Sequence, residues 1–215
     1  MTRRLRVEVA GSSPDARPIR ILALSDEPDR ALDDVRNRDA LGRIDLVVGC
    51  GDLRPDRLCP AFDSFDAPCI YVRGNHDTGA AWSAGARDLP EEPPSGLPLR
   101  RAGLRLVPLA WPHPYGDAAR RDEWLAWRHV VSARLRRAGG REPLVVFSHA
   151  APLDVGDGAD DYHRGFRGYL WLLDSARPAL WLHGHPPFAG DAWWTKRGAT
   201  TVVNVTGSVL IELFV

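Results

Sequence analysis

Cys69-Ile70-Tyr71-Val72-Arg73-Gly74-Asn75-His76-Asp77 is the stretch on which the fold turns. Its first four residues are apolar and too few for a helix, so they read as a buried strand. That strand runs into an amide, an imidazole and a carboxylate, residue types that suit turns but also bind metals and move protons. The pattern recurs on both sides. Upstream, Ile19-Arg20-Ile21-Leu22-Ala23-Leu24 stops at Ser25-Asp26, and Ile44-Asp45-Leu46-Val47-Val48 stops at Gly49-Cys50-Gly51-Asp52. Downstream, Leu144-Val145-Val146-Phe147 stops at Ser148-His149, and Ala179-Leu180-Trp181-Leu182 stops at His183-Gly184-His185.

Between these strands the pattern predicts helices over residues 29–41, 120–138 and 166–176. The second carries Trp124, Leu125, Trp127, Val131 and Leu135 as its apolar stripe. Residues 201–205 and 209–211 read as a β-hairpin around Gly207. Strands alternating with helices, plus a hairpin, define a mixed α/β domain with parallel and antiparallel pairing. Residues 78–98, with Pro90, Pro93, Pro94 and Pro98, read as a loop or lid. No repeat is visible, and residues 1–215 read as one domain.

Composition narrows the partners. The 28 basic and 28 acidic residues cancel, which argues against long nucleic acid and anionic membranes. Every basic residue except Lys196 is arginine, a bias that a GC-rich genome explains. Cys50, Cys59 and Cys69 are odd in number and lack paired spacing, so neither a disulfide framework nor a zinc ribbon is expected. No apolar run follows Arg3, Arg4 and Arg6 as in a signal peptide, and none reaches the roughly 18 residues of a membrane span. A cytoplasmic protein is the expectation.

In α/β sheets ligands gather at the carboxyl ends of strands, so Asp26, Asp52, Asn75, His76, Asp77, His149 and His185 can converge. Carboxylate, amide and imidazole donors suit Mn, Fe, Zn or Ni. Such sets can hold two ions about 3.5–4 Å apart across a phosphate ester. Each residue alone has a plainer explanation. Asp26 could cap a helix, Asp52, Asn75 and Asp77 could simply turn the chain, and His149 could be structural. Five such coincidences in order are harder to accept.

Asp26-Glu27-Pro28, Gly51-Asp52, Gly74-Asn75-His76-Asp77, Ser148-His149-Ala150 and Gly184-His185-Pro186-Pro187 resemble, in order, the motifs of the calcineurin-like metallophosphoesterases. The resemblance implies a four-layer α/β/β/α sandwich with mixed sheets and one or two divalent metal ions. It implies hydrolysis of a small phosphomonoester or phosphodiester by a metal-activated water. Asp52 would bridge the ions, Asn75, His149 and His185 would complete one site, and Asp26 would serve the other. His76 would face the substrate phosphate as leaving-group acid or transition-state stabiliser, and Asp77 would hold the His76 ring.

The departures are specific. The family pattern has His where this chain has Pro28 and Pro187, and both belong to the site of Asp26. Glu27 and His183 are the candidates to replace them, as metal ligands or in the surrounding layer. His163 and Arg164, in the segment 161–166, are candidate substrate contacts. Trp111-Pro112-His113-Pro114-Tyr115 could wall the cleft, Cys50 reads as packing, and Trp193-Trp194 is either a partner surface or packing. The alternative function is a weakened or inactive binding or regulatory protein on the same fold, with one metal site altered.

Overall fold

All five apolar runs form strands in the computed structural model, which describes residues 2–13, 16–56, 64–78, 82, 89, 92–112, 122–136 and 140–215. The first strands are β1 (Arg3–Glu8), β2 (Ile19–Ser25), β3 (Leu46–Cys50) and β4 (Cys69–Val72). Next come β5 (Leu99–Arg101), β6 (Leu104–Leu109), β7 (Leu144–Ser148) and β8 (Leu180–His183). The chain ends with β9 (Trp194–Arg197), β10 (Thr200–Asn204) and β11 (Gly207–Phe214). Helices are α1 (Val35–Asp39), α2 (Glu123–Leu135) and α3 (Arg167–Ala176).

The strands make two mixed sheets, ordered β1-β11-β2-β3-β4 and β5-β6-β7-β8-β10-β9. Strands β2, β3 and β4 run parallel, as do β6, β7, β8 and β10. Parallel pairing puts the carboxyl ends of each set on one edge, which is where the chemistry-bearing turns lie.

Side-chain alternation sorts the core. Ala23, Val48 and Ile211 from the first sheet share a core with Phe147, Leu182 and Val203 from the second. The other face of the second sheet, with Val146, Trp181 and Val202, packs beneath α2 and α3. The other face of the first sheet buries Leu22, Leu24 and Val47 with Leu32, Leu41 and Leu53. No helix among the described residues is long and apolar enough to cross a membrane.

Several expectations change in the structure. The helix over 29–41 is a 3-10 turn (Arg30–Asp33) followed by the short α1, because Asp34 is extended (φ −88°, ψ 124°) and caps Arg36 N–H. The apolar stripe of α2 is misplaced. Trp124, Val131 and Leu135 are exposed, whereas Ala126, Val130 and Ala133 are buried. Small residues win because α2 lies close to α3; a Cβ on Gly168 would already sit 3.4 Å from Trp127 N and Val130 Cγ2. Residues 201–205 and 209–211 are not a hairpin. β10 pairs with β8 and β9, while β11 pairs with β1 and β2, so the chain crosses between sheets at Val205-Thr206. The loop over 78–98 and His113-Pro114-Tyr115 lie partly or wholly outside the described residues.

Candidate metal centre

Five turns after β2, β3, β4, β7 and β8 meet where the two sheets come together. Asp26, Asp52 and His185 all have positive φ (57°, 52° and 69°), which swings each side chain off its strand line. Non-glycine residues seldom adopt that conformation, and the strain is typical of functional turns. Gly51, at φ +87°, lets the turn press against His149, since a Cβ there would lie 2.5 Å from His149 Nδ1. Gly184 is packed so closely against Ser25 Oγ that no side chain fits.

His149 is fully buried, and its two nitrogens face different chemistry. Nδ1 lies 2.8 Å from the Cys50 carbonyl, so it carries a proton and donates. Nε2 lies 2.9 Å from Asn75 Oδ1 and 3.2 Å from Asp52 Oδ2. A neutral ring would present a lone pair to two oxygen acceptors there, so the spot demands a proton or a cation. Burial pushes the His149 pKa down, but the bond and charge of Asp52 outweigh it and raise it. Burial likewise pushes Asp52 up, and His149 with the His76 N–H brings it below the usual carboxylate range.

His185 completes the group: ligand atoms of Asp52, His149 and His185 lie within 4.8 Å of one another. Its Nε2 lies 2.9 Å from the Tyr162 carbonyl, which makes Nε2 the donor and leaves Nδ1 free. Burial, then the charge of His149, pushes the His185 pKa down to about 4, so the ring is neutral and able to ligate. Trp111 lines this side, its ring centroid 4.9 Å from that of His185 and 5.8 Å from that of His149. A carboxylate, an amide oxygen and two imidazoles, with a divalent ion taking the place of the His149 Nε2 proton, could therefore hold a metal.

The other side differs. Asp26 Oδ2 accepts from Ser25 Oγ (2.7 Å), His185 N–H (3.2 Å) and Thr206 Oγ1 (3.3 Å). Glu27 is exposed and stands outside the three-residue group. His183 turns away from it. Nδ1 meets the Gly184 carbonyl at 3.0 Å, and Nε2 faces Gly156 without a hydrogen-bond partner among the described residues. Burial lowers its pKa to about 4. Neither residue belongs to the group of Asp52, His149 and His185.

Asp77 does not hold the His76 ring. Its buried carboxylate accepts the N–H groups of Asp52 (2.7 Å) and Gly74 (2.9 Å), tying the two turns together. Burial, together with the charge of Asp52, raises it to about 6. His76 is exposed at the mouth; its Nε2 lies 3.0 Å from the Tyr162 hydroxyl, while its backbone N–H donates to Asp52 Oδ1 at 2.8 Å. His163 is held by Asp160 Oδ2 at 2.8 Å with its ring 5.1 Å from His185, and Arg164 is exposed on the same loop. The Cys50 thiol is buried and its pKa is raised, so its carbonyl, not its sulfur, serves the site. Ser25, Thr206 and Tyr162 belong to no motif; only their nearness to motif residues in sequence or loop hints at them.

This is an α/β protein with a strand-end cluster of carboxylate, amide and imidazole that could hold a metal ion. The sequence matches the calcineurin-like phosphoesterase family over residues 20–196, and the chain belongs to that family. Among solved structures it is similar to TT1561 of Thermus thermophilus, with 17% identity, TM-score 0.60, and coverage of 89% of this chain and 90% of that one. A second crystal structure matches at 15% identity and TM-score 0.61, covering 88% and 91%. At these identities the likeness is one of fold. No curated protein matches the sequence.

Proposed function

We propose that this protein is a metal-dependent phosphoesterase that hydrolyses a small phosphomonoester or phosphodiester. The observation that carries this is the convergence of His149 Nε2 on Asn75 Oδ1 and Asp52 Oδ2, with the other ring nitrogen already committed to Cys50. Asp52, Asn75, His149 and His185 would hold one divalent ion of the Mn, Fe, Zn or Ni type. When bound, that ion supplies Lewis acidity to the phosphoryl group and to the attacking water.

The remaining work belongs to the chain. The Cys50 and Tyr162 carbonyls each hold one ring nitrogen of His149 and His185 as a donor, so that the other nitrogen of each ring would serve the ion. Asp77 fixes the Asp52 and Gly74 turns against each other. The His76 ring, exposed at the mouth, would serve the departing oxygen of the substrate.

The test is direct. Chelated protein is reloaded with Mn²⁺, Fe²⁺, Zn²⁺ or Ni²⁺ and assayed on 4-nitrophenyl phosphate and bis(4-nitrophenyl) phosphate, with metal content measured alongside. Stoichiometric metal and metal-dependent turnover are expected, and the ratio of the two rates separates monoesterase from diesterase. Metal binding without hydrolysis of either compound would overturn the enzyme assignment and favour the binding protein.

A further inference from the structure

The residue that touches most of this centre lies outside every motif. Tyr162 sits on the 157–165 loop, which is closed at its base by Leu153 N–H to Phe166 O (3.2 Å) and Phe166 N–H to Ala151 O (3.1 Å). Within the loop Gly165 N–H donates to Asp157 Oδ2 at 2.8 Å, and Asp160 Oδ1 accepts from Tyr162 and His163 N–H at 3.0 Å each. The loop is therefore a built support. Tyr162 is 43% exposed, so its hydroxyl can be reached from solvent.

That hydroxyl lies 2.7 Å from Asn75 Nδ2 and 3.0 Å from His76 Nε2. With Asn75 Oδ1 turned to His149, Nδ2 can only donate, so the phenol oxygen accepts. Accepting one hydrogen bond polarises the phenol as a donor. Its own proton then points toward His76 or toward the mouth of the site. Pro28 and Pro187 carry no ligand atoms, so fixed neutral donors at the mouth gain weight in stabilising phosphoryl charge.

Building on the phosphoesterase reading, we propose that Tyr162 is a catalytic residue whose hydroxyl donates to a phosphoryl oxygen lying between Asn75 and His76. Donors fixed before reaction are worth most where charge develops, and losing one costs about 10²–10³ in kcat. A plainer role would have Tyr162 only orient Asn75 for the metal. The experiment must separate the two.

Tyr162→Phe keeps the ring beside His185 and the carbonyl that His185 uses, and removes only the hydroxyl. Metal content, inorganic phosphate binding by calorimetry, and kcat with KM are measured on Mn²⁺-loaded wild type and variant. Unchanged metal content, phosphate affinity weakened about tenfold, kcat lowered about 10²-fold and KM raised by no more than the loss of phosphate affinity are expected. In a cycle with His76→Ala, the two losses should be less than multiplicative, because the Tyr162 hydroxyl and His76 Nε2 lie within hydrogen-bond reach of each other at 3.0 Å. Metal lost in step with kcat would make Tyr162 a positioning residue and overturn the proposal, as would unchanged phosphate binding or unchanged kcat. Phosphate binding weakened in a protein whose wild type hydrolyses nothing would instead sink the phosphoesterase reading while leaving the phosphate contact standing.

Discussion

The two sides of the Asp52 carboxylate are built on opposite principles. On one side His149 and His185 bring ring nitrogens within 4.8 Å of it and Asn75 joins through His149 Nε2, and each of these three has its other polar atom tied up elsewhere. On the other, Asp26 Oδ2 is already satisfied by Ser25, Thr206 and the His185 N–H, and the neighbouring ligand positions are proline. On the first side His149 Nε2, Asn75 Oδ1 and Asp52 Oδ2 meet one another, so a single ion can take the place of those contacts. On the second, Asp26 Oδ2 is held by groups that are not ligands.

The largest effect should come from the crowded side. His149→Ala removes Nε2 from the cluster and takes from the buried Cys50 carbonyl its 2.8 Å donor, leaving it Ser25 Oγ at 3.0 Å. Metal should be lost, and turnover should fall at least about 10³-fold, since a ligand and the charge arrangement go together. Stability should drop by about 2–4 kcal/mol from the cavity and the lost hydrogen bond to Cys50. Metal analysis and thermal unfolding read both. Retained metal would mean that the crowded side is a hydrogen-bond network only.

Asp26→Asn probes the sparse side and should do less. The amide keeps the shape but presents weaker acceptors to Ser25 and Thr206, so kcat should fall about tenfold while metal content holds. Loss of all metal would erase the asymmetry. The double replacement Pro28→His with Pro187→His should sharpen it from the other direction. It should raise bound metal from one equivalent toward two, with activity rising only a few-fold. No second equivalent by calorimetry would mean that Asp26 is too fully bonded to serve an ion.

The strand-end chemistry was legible because each reactive residue follows an apolar run by one to five positions. What decided its use was not. His183 and His185 differ by two residues, yet one lies on β8 facing Gly156 and the other, turned by φ 69°, faces Asp52. Strand alternation alone would put both on one side. Tyr162 was illegible for a related reason: its loop has no period, and its partners Asn75 and His76 come from 87 and 86 residues away. The α2 stripe misled because apolar bulk suggests burial, whereas close helix contact selects Ala126, Ala133 and Gly168. The supposed hairpin failed because Val203, Val205, Val209 and Ile211 all reach the shared core from two different sheets, a pattern one hairpin would also produce.

The smallest effect compares buried imidazoles with and without an acid beside them. His149, next to Asp52, is held above the ordinary value, whereas His129 on α2 is pushed down to about 4 by burial and then by Arg128. Ser95 Oγ accepts from Ala110 N–H at 3.0 Å, so its own proton goes to His129 Nδ1, also at 3.0 Å. Protonating that nitrogen breaks the bond. Because the folded pKa lies below the unfolded one, the unfolded chain binds more protons between about pH 4 and 6.5, and stability falls as pH falls through that window. His183 contributes with the same sign. His129→Gln, which keeps an acceptor for Ser95 but cannot titrate, should reduce the loss of stability between pH 7 and 5 by about 1 kcal/mol. Chemical unfolding of the chelated protein at the two pH values reads it, and an unchanged difference would mean that the cost of burying His129 is not felt in that range.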